Sequence, residues 1–315
     1  MPIGVALPHN MSLSPDEVAV TVVVPAPNGC NLNCPFCFIK ARKEALPSQS
    51  VLQAADYVQF IESMIEQQNV TLVSLQGYEP LLPESWSISK AILAKAREHG
   101  VRTALVTNGT HLADRVDELV ALDVSGITVS LDSDQAIWHD QTRRMSGAYA
   151  MTISGIERVA ASKLRSQLIV ASVLQRRKSL YLAGMPGLLA GLGLRNWVVT
   201  PVIKVGKDIH KTSVAPPADV VRELKALYND ATSHGVTMMV DDEFDVLIRN
   251  AEAAVDLAQL RLRRLSRINQ AIRLSPDGSC SVGESILDRA DASDLVWNPQ
   301  QESAGHFAGR VALAL

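Results

Sequence analysis

The stretch "VAVTVVVPAPNGCNLNCPFC", from Val18 to Cys37, decides the fold. Its first seven residues are mostly β-branched and predict a buried strand. The strand runs into a loop that carries Cys30, Cys34 and Cys37. The loop therefore follows the carboxyl end of this strand. The pattern further along the chain decides whether the strand is the first of a parallel set.

Strand-like and helix-like segments alternate about six times along the chain. The β-branched runs that follow are "VTLVSLQG", "RTALVTNG", "GITVSLDS", "SQLIVASVL" and "NWVVTPVI". Amphipathic stretches lie between them, and two of these end at Gly100 and Gly235, which predict helix C-caps. The alternation indicates an α/β fold of parallel strands with right-handed crossovers. We expect a partial (β/α)6 TIM-like barrel, with a doubly wound sheet as the other possibility.

The pattern changes near residue 236. We therefore divide the sequence into an N-terminal segment (1–17), a core barrel (18–235) and a small C-terminal appendage or extension (236–315). Within the extension, "VTMMVDDEF" predicts a strand and "DVLIRNAEAAVDLAQLRLRRLSRINQ" predicts a helix. "AIRLSPDGSCSVGES" predicts a strand, a turn and a loop.

Composition narrows the possible functions. Of the 315 residues, 47% are apolar and only 4% aromatic, which favours an α/β core of aliphatic side chains. The formal charge of -3 gives no overall attraction to nucleic acid or to an anionic membrane. No leader-like or membrane-spanning apolar run is evident, so we expect a cytoplasmic protein without nucleic-acid or membrane partners.

Polar residues follow the second, third and fourth predicted strands in the segments "QGYE", "TNG" and "SLD". In a βα-barrel the carboxyl ends of the strands converge on one face. These three segments and the cysteine loop are therefore expected to meet at one pocket.

The three clustered cysteines indicate metal or redox chemistry, because a disulfide is rare in a reducing cytosol. A [4Fe–4S] cluster usually takes four thiolates, so three would leave one iron open to another ligand. A structural zinc site is the alternative, and its closed tetrahedron would need a fourth ligand such as His9, His111 or Cys280.

The spacing CxxxCxxC, with aromatic Phe36 before the third cysteine, resembles that of the radical S-adenosylmethionine (radical SAM) enzymes. The resemblance extends from about Val18 to Ile203. It implies that Cys30, Cys34 and Cys37 hold one [4Fe–4S] cluster whose open iron binds S-adenosylmethionine. It further implies that one electron splits this cofactor into methionine and a 5′-deoxyadenosyl radical, which abstracts hydrogen from a substrate.

Two further segments resemble motifs of that family that contact S-adenosylmethionine. "LQGYEPLL" is similar to the GGEP motif beside the methionine amino group, which implies cofactor binding by Gln76, Gly77, Tyr78 and Glu79. Tyr78 replaces the second glycine and either takes an ordinary backbone conformation or places its ring in the pocket. "VTNGT" resembles the segment bordering the same cavity and adds Asn108.

The resemblance continues at the fourth strand and the helix after it. In "VSLDS", Ser130 and Asp132 are implied to contact the ribose or the carboxylate of the cofactor. "HDQTRRMSGAY" is similar to the family's HDxxRxxxG stretch and places Arg143 to bind the cofactor carboxylate. Arg144 stands beside it as a competing candidate.

The tail segment "LSPDGSCSVGES" resembles the start of a SPASM extension, but it lacks further cysteines for an auxiliary cluster. We therefore expect a single cluster. Cys280 has two interpretations: a catalytic thiol that returns a hydrogen atom to a substrate radical, as in some epimerases of the family, or a buried small hydrophobic residue.

The resemblance favours a substrate that is a peptide or a small metabolite, with natural-product or peptide modification by epimerisation or oxidation among the outcomes. It also implies an electron donor such as flavodoxin or ferredoxin. The alternative is a non-catalytic iron–sulfur or zinc protein in electron transfer or assembly. The basic run "RLRRLSR" and the acidic run "DDEF" do not decide the substrate.

Overall fold

The computed structural model describes residues 17–37, 39, 52–175, 179–202, 217–240, 263–264, 270–282 and 295–314. Within these ranges, ten strands form one sheet in the order β10-β9-β1-β2-β3-β4-β5-β6-β7-β8. Every neighbouring pair is parallel except β9 and β10. The sheet is open, so the expected α/β class and partial barrel are confirmed.

The elements follow the predicted alternation. The strands are β1 Val18–Val24, β2 Val70–Gly77, β3 Arg102–Thr107, β4 Gly126–Ser130, β5 Leu168–Leu174, β6 Asn196–Pro201, β7 Thr237–Val240, β8 Arg263–Arg264, β9 Gln270–Leu274 and β10 Cys280–Val282. The helices are α1 Ala54–Gln67, α2 Pro83–Glu98, α3 Leu112–Ala121, α4 Ala136–Arg143, α5 Ala148–Ala160, α6 Met185–Gly191, α7 Pro217–Ser233 and α8 Ala304–Leu313. Short 3-10 turns lie at Arg165–Gln167 and Ser179–Leu182.

The two faces of the sheet differ in polarity. Val18, Val20, Val22 and Val24 alternate along β1 and join the main hydrophobic core, which also contains the buried side chains of α1. The opposite face carries short polar side chains, such as Thr21, whose hydroxyl is hydrogen-bonded to that of Ser74 on β2 at 2.9 Å. Helices cover the apolar face, and the cavity described below lies on the other face.

Both predicted glycine caps are confirmed. Gly100 and Gly235 have φ values of +71° and +66°, a left-handed conformation in which glycine carries no Cβ penalty. The amide of Gly100 donates to the carbonyl of Arg97 at 2.9 Å, and that of Gly235 donates to Thr232 at 3.1 Å. These bonds end α2 and α7 at the loops that lead into β3 and β7.

The described strands of the C-terminal extension continue the core sheet at both edges. β7 pairs with β6, whereas β9 pairs with β1 at the other edge. The predicted strand at the start of the extension is confirmed, as are the strand and turn before Cys280. The loop predicted after that turn is wrong at Cys280–Val282, which pair with β9 as strand β10.

The helix predicted over 245–270 is wrong at Arg263–Arg264, which form the two-residue strand β8 beside β7. Pairing with a sheet edge outweighs the helical propensity of this segment. The rest of that helix, apart from the first residue of β9, lies outside the described residues, as do residues 1–16 and the run "DDEF".

Helix α8 packs against α1. The ring centroids of Phe307 and Phe60 lie 5.8 Å apart, and Trp297 stacks on Phe307 at 5.7 Å. Fully burying a side chain of this size contributes about 1.5–3 kcal/mol, so the contact fixes the end of the chain on the helical layer. Within the described ranges, no helix has the length and apolarity that crossing a membrane requires.

Candidate active site

A cavity lies at the carboxyl ends of the parallel strands, as the strand-end pattern predicts. The cysteine loop after β1 and residues of β5 and β6 are among the segments that line it. Ten of the predicted site residues line it: Cys30, Cys34, Phe36, Cys37, Gly77, Tyr78, Glu79, Asn108, Ser130 and Arg143. The cavity opens to solvent, and the space in it that water-sized molecules can occupy is about 160 Å³.

The cysteine loop is held in shape by its own backbone. Gly29 has a φ of +77° and donates to the carbonyl of Ala26 at 2.8 Å, which turns the chain after β1. The amide of Cys37 donates to the carbonyl of Cys34 at 3.2 Å, and the amide of Leu32 donates to the sulfur of Cys30 at 3.4 Å. The three thiols are therefore placed together along one wall of the cavity.

The Cys30 end of the loop is tied to β3 by neutral hydrogen bonds. Asn108 donates from Nδ2 to the side-chain oxygen of Asn31 at 2.9 Å and lies 3.8 Å from the sulfur of Cys30. Asn31 donates in turn to the hydroxyl of Thr110 at 2.9 Å, and that hydroxyl donates to Asn108 Oδ1 at 2.7 Å. The three side chains form a closed ring of hydrogen bonds, here called the amide triangle.

The Cys34 end is tied to the barrel by a charged pair. Arg143 Nε lies 2.8 Å from Asp132 Oδ2, and both side chains are almost fully buried. Arg143 Nη1 reaches the sulfur of Cys34 at 3.8 Å, and its guanidinium lies 5.5 Å from the centre of the Phe36 ring. The carbonyl of Arg143 also accepts from the amide of Asn33 at 3.2 Å.

The charge of Arg143 is stabilised where it lies. Burial disfavours the cation, but Asp132 and Cys34 offset this cost, so the pKa of Arg143 is raised above its ordinary value. Arg144 takes a left-handed conformation with φ of 54° and its side chain is exposed. Of the two neighbouring arginines, Arg143 is the one that reaches the cavity.

Two other residues of the "HDQTRRMSGAY" stretch, Asp140 and His139, accept backbone hydrogen bonds. Asp140 accepts from the amide of Gly147 at 2.6 Å and from that of Tyr149 at 2.8 Å, which fixes the turn into α5. His139 is fully buried and its Nδ1 accepts from the amide of Asp132 at 3.2 Å. Burial and the nearby Arg143 lower the pKa of His139 to about 4, so at neutral pH the ring is uncharged.

Glu79 lies at the end of β2 with 1% of its surface exposed. Its carboxylate accepts from the hydroxyl of Thr107 at 2.6 Å and from the amides of Asn108 at 2.6 Å and Leu81 at 3.1 Å. Burial raises the pKa of Glu79 to about 7 although these hydrogen bonds oppose the shift. A cation entering the cavity would favour the ionised form.

Gly77, which precedes Tyr78, cannot be replaced without a clash. Its φ is +129°, and a Cβ there would lie 2.6 Å from the carbonyl oxygen of Val24. Tyr78 itself does not have a positive φ, so the residue that replaces the second glycine has an ordinary backbone. Its ring packs with the cysteine loop and also borders the cavity.

Three predicted site residues do not line the cavity. Gln76 is buried on the inner face of β2, in register with Val23. Asp132 reaches the cavity only through its ion pair with Arg143, and its other oxygen accepts from the amide of Val173 at 2.9 Å. Cys280 is 3% exposed and lies in the main hydrophobic core, which corresponds to the buried-hydrophobe interpretation.

Asn31, Thr107 and Thr110 were not among the predicted site residues. Asn31 and Thr110 hold the cysteine loop through the amide triangle, and Thr107 holds Glu79. Asn31 lies between two of the quoted cysteines, and both threonines flank the quoted Asn-Gly. The sequence feature that could have indicated them is the position of short polar residues in the cysteine loop and at strand ends, where such side chains form local hydrogen bonds.

The three thiols fit an iron–sulfur cluster in their chemistry. Burial raises the pKa of the Cys30 thiol to about 12, so strong positive charge is needed to keep it as a thiolate. Its sulfur already receives an N–H group from Leu32, and the sulfur of Cys34 receives one from Arg143. Among the described residues, no three His, Cys, Asp or Glu side chains lie close enough together to hold a single metal ion.

Comparison with known proteins agrees with this architecture. Residues 24–174 match the model of the Radical SAM superfamily. The chain is 33% identical over 151 residues to GTP 3′,8-cyclase 1 of Mycobacterium tuberculosis, an alignment that covers 46% of this chain and 41% of the relative. It is 35% identical over 131 residues to the AdoMet-dependent heme synthase of Methanosarcina barkeri, with 41% and 36% covered.

Among solved structures, Streptococcus suis SuiB bound to S-adenosylmethionine superimposes with a TM-score of 0.65 at 14% identity, covering 93% of this chain and 65% of SuiB. SuiB bound to the precursor peptide SuiA gives 0.64 at 14% identity, covering 96% and 68%. At 14% sequence identity, these similarities show a shared fold and nothing about function. The chain spans less than half the length of the two curated relatives.

The matched region begins at the last residue of β1 and ends at the last residue of β5, so it contains the cysteine loop and most of the cavity. Residues 24–174 of this chain therefore match the Radical SAM superfamily, and the chain shares the fold of the solved structures named above.

Proposed function

We propose that this protein is a radical SAM enzyme that binds one [4Fe–4S] cluster through Cys30, Cys34 and Cys37 and reductively cleaves S-adenosylmethionine. The observation that supports this most is that the three thiols share one cavity with Glu79, Asn108 and Arg143. When bound, the cluster and cofactor supply the 5′-deoxyadenosyl radical, and a substrate provides the hydrogen atom that it abstracts.

The side chains of the cavity would orient the cofactor and exclude water. Glu79 places a buried carboxyl group at the end of β2, and a cationic amine beside it would favour the negatively charged form. Arg143 is held by Asp132 in a fixed position beside Cys34, where it can meet a carboxylate. Ser130 offers a hydroxyl at the end of β4 that suits a ribose.

We assign the substrate to the class of peptides or small metabolites, with epimerisation or oxidation among the possible outcomes. The cavity wall at β5 and β6 presents apolar and hydroxyl side chains, namely Ala171, Val173, Thr200, Pro201 and Val202. Among the described lining residues Arg143 is the only arginine or lysine, and it is paired with Asp132. The activity of the cyclase relative is not carried over, because the alignment covers only 41% of that relative.

A structure of the same fold with a bound precursor peptide supports the peptide class at the level of architecture alone. A non-catalytic iron–sulfur or zinc protein is the less favoured alternative, because it has no use for a cavity that brings Glu79, Asn108 and Arg143 beside the thiols. Cleavage consumes one electron, so we include a donor such as flavodoxin or ferredoxin as a partner. A cytoplasmic location stays a prediction.

Anaerobic reconstitution with iron and sulfide tests the proposal. The wild-type protein should take up about four irons per chain and, after addition of S-adenosylmethionine and dithionite, yield 5′-deoxyadenosine. The triple variant Cys30→Ala/Cys34→Ala/Cys37→Ala should do neither. The matched control Cys280→Ala removes the fourth thiol, which lies in the core, and should retain both activities. A fully loaded wild-type cluster without cleavage would contradict the proposal.

The substrate class has a separate test. Candidate peptides and metabolites with deuterium at defined carbons would be incubated with the loaded enzyme. Transfer of deuterium into 5′-deoxyadenosine, followed by mass spectrometry, identifies the hydrogen donor. If only small metabolites transfer deuterium, the peptide half of the assignment is removed.

A further inference from the structure

Tyr78 is the residue of the β2 end that departs from the two-glycine pattern, and it occupies a specific place. Its side chain is 8% exposed and belongs to a small buried cluster with Val23, Ala26, Ile39 and Leu82. Cys30 and Cys37 pack against that cluster. The ring therefore fills the space between the sheet and two of the three thiols.

The part of the loop around Cys34 has an aromatic residue of its own. Phe36 packs with Val202, and Cys34 and Val173 lie against this pair. The three thiols are thus flanked by Tyr78 on the Cys30 and Cys37 side and by Phe36 on the Cys34 side. A glycine at position 78 would leave the first of these walls without its side chain.

The electrostatics of the phenol agree with this placement. Its pKa is raised, first by burial and then by Cys37 and Cys30, whose negative charges oppose a phenolate. Tyr78 is therefore a neutral ring beside the thiols at physiological pH. Its contribution to the site is bulk and low polarity.

We propose that the ring of Tyr78 is a positioning and shielding residue that closes the Cys30 and Cys37 side of the cluster against water and oxygen. The inference rests on the proposed function, because it requires a cluster on these thiols. Reduction adds negative charge to the cluster, and that charge is costlier where water is excluded. Tyr78 therefore holds the reduction potential at more negative values than an open wall would.

The test compares Tyr78→Gly, which restores the two-glycine pattern, with Tyr78→Phe, which keeps the ring and removes only the hydroxyl. Tyr78→Leu, a partial filling of the same space, serves as a second variant if the glycine variant does not fold. Two readouts are used on the reconstituted proteins: the rate at which the visible absorbance of the cluster is lost in air-saturated buffer, and the midpoint potential from electron paramagnetic resonance titration.

The proposal expects several-fold faster bleaching and a more positive midpoint potential in Tyr78→Gly, an intermediate result in Tyr78→Leu, and wild-type behaviour in Tyr78→Phe. Equal bleaching rates and potentials in all four proteins would overturn it. An effect of Tyr78→Phe as large as that of Tyr78→Gly would also overturn it, because the hydroxyl would then be responsible. A wild-type protein that assembles no cluster would instead refute the proposed function.

Discussion

The two ends of the cysteine loop are anchored by different chemistry. At Cys30 the amide triangle of Asn31, Asn108 and Thr110 uses neutral groups only. At Cys34 the anchor is the buried ion pair of Arg143 with Asp132. Each neutral hydrogen bond adds about 0.5–1.5 kcal/mol, whereas a buried charge must keep its partner or cost several kcal/mol. Neighbouring cysteines of one loop therefore differ in how much a single substitution can disturb them.

The largest effect is expected from Asp132→Ala. The change leaves the buried guanidinium of Arg143 without its partner, and the free energy of unfolding should fall by about 3–5 kcal/mol. Anaerobic chemical denaturation of the reconstituted protein measures it. The matched control is Asp132→Ala/Arg143→Met, which removes both charges and should recover part of the loss. If the double variant is no more stable than the single one, the Cys34 end does not depend on charge pairing.

Glu79→Gln tests the carboxylate that connects β2 to the Cys30 end through Asn108. The amide keeps the shape but meets three hydrogen-bond donors with one acceptor, a cost of about 1–3 kcal/mol at high pH. The folded pKa of Glu79, about 7, lies above its ordinary value of 4.5. Between these two pH values the folded protein binds more protons than the unfolded chain, so this group's stabilising contribution is lost as pH rises.

Wild-type stability should therefore decline from pH 5 to pH 8 more steeply than that of Glu79→Gln. Denaturation midpoints across this range measure the slope, with unchanged buffer ionic strength as the control condition. Parallel pH profiles for the two proteins would show that Glu79 is ionised throughout.

Asn31→Ala removes one corner of the amide triangle. Asn31 is itself exposed, so the expected loss is about 0.5–1.5 kcal/mol per hydrogen bond, smaller than at Asp132. A double-mutant cycle with Thr110→Val measures the coupling between the two side chains. Strict additivity of the two losses would mean that the triangle does not act as a unit.

The smallest effect is expected from Lys90→Ala. Lys90 and Glu118 form an ion pair at 2.8 Å, but both side chains are partly exposed. Such a pair contributes about 0–1 kcal/mol because water screens it. Both substitutions remove one partner of an ion pair, so comparing the losses in the free energy of unfolding at Lys90 and at Asp132 isolates the effect of burial. Equal losses at the two sites would show that burial does not make the anchor at Cys34 more sensitive to substitution.

The sequence predicted those parts of the fold that depend on local patterns. β1 and β2 coincide with the runs of β-branched residues quoted for them, and the polar residues after β2, β3 and β4 converge as the parallel topology requires. The preference for Arg143 over Arg144 agrees with their positions in the structure, since Arg144 points to solvent.

Contacts between distant segments could not be predicted from local patterns. The pair of Asp132 and Arg143 depends on how α4 folds back on β4, and the interpretation of both residues as separate cofactor ligands did not include it. The position of Cys280 depends on β10 pairing with β9, which turns this thiol into the core. The direction of the Tyr78 ring depends on the packing of Val23 and Leu82 around it.

The position of β9 beside β1 sets an order of events during synthesis. One edge of β1 pairs with β2, and among the described residues its other edge pairs with Gln270–Leu274. At about 5–20 residues per second, the ribosome needs roughly 10–50 s to reach that segment after making β1. Throughout this interval the strand that precedes the cysteine loop presents unpaired backbone groups, which is an opportunity for misassembly. The sheet around the cysteine loop is thus completed only after β9 has been made.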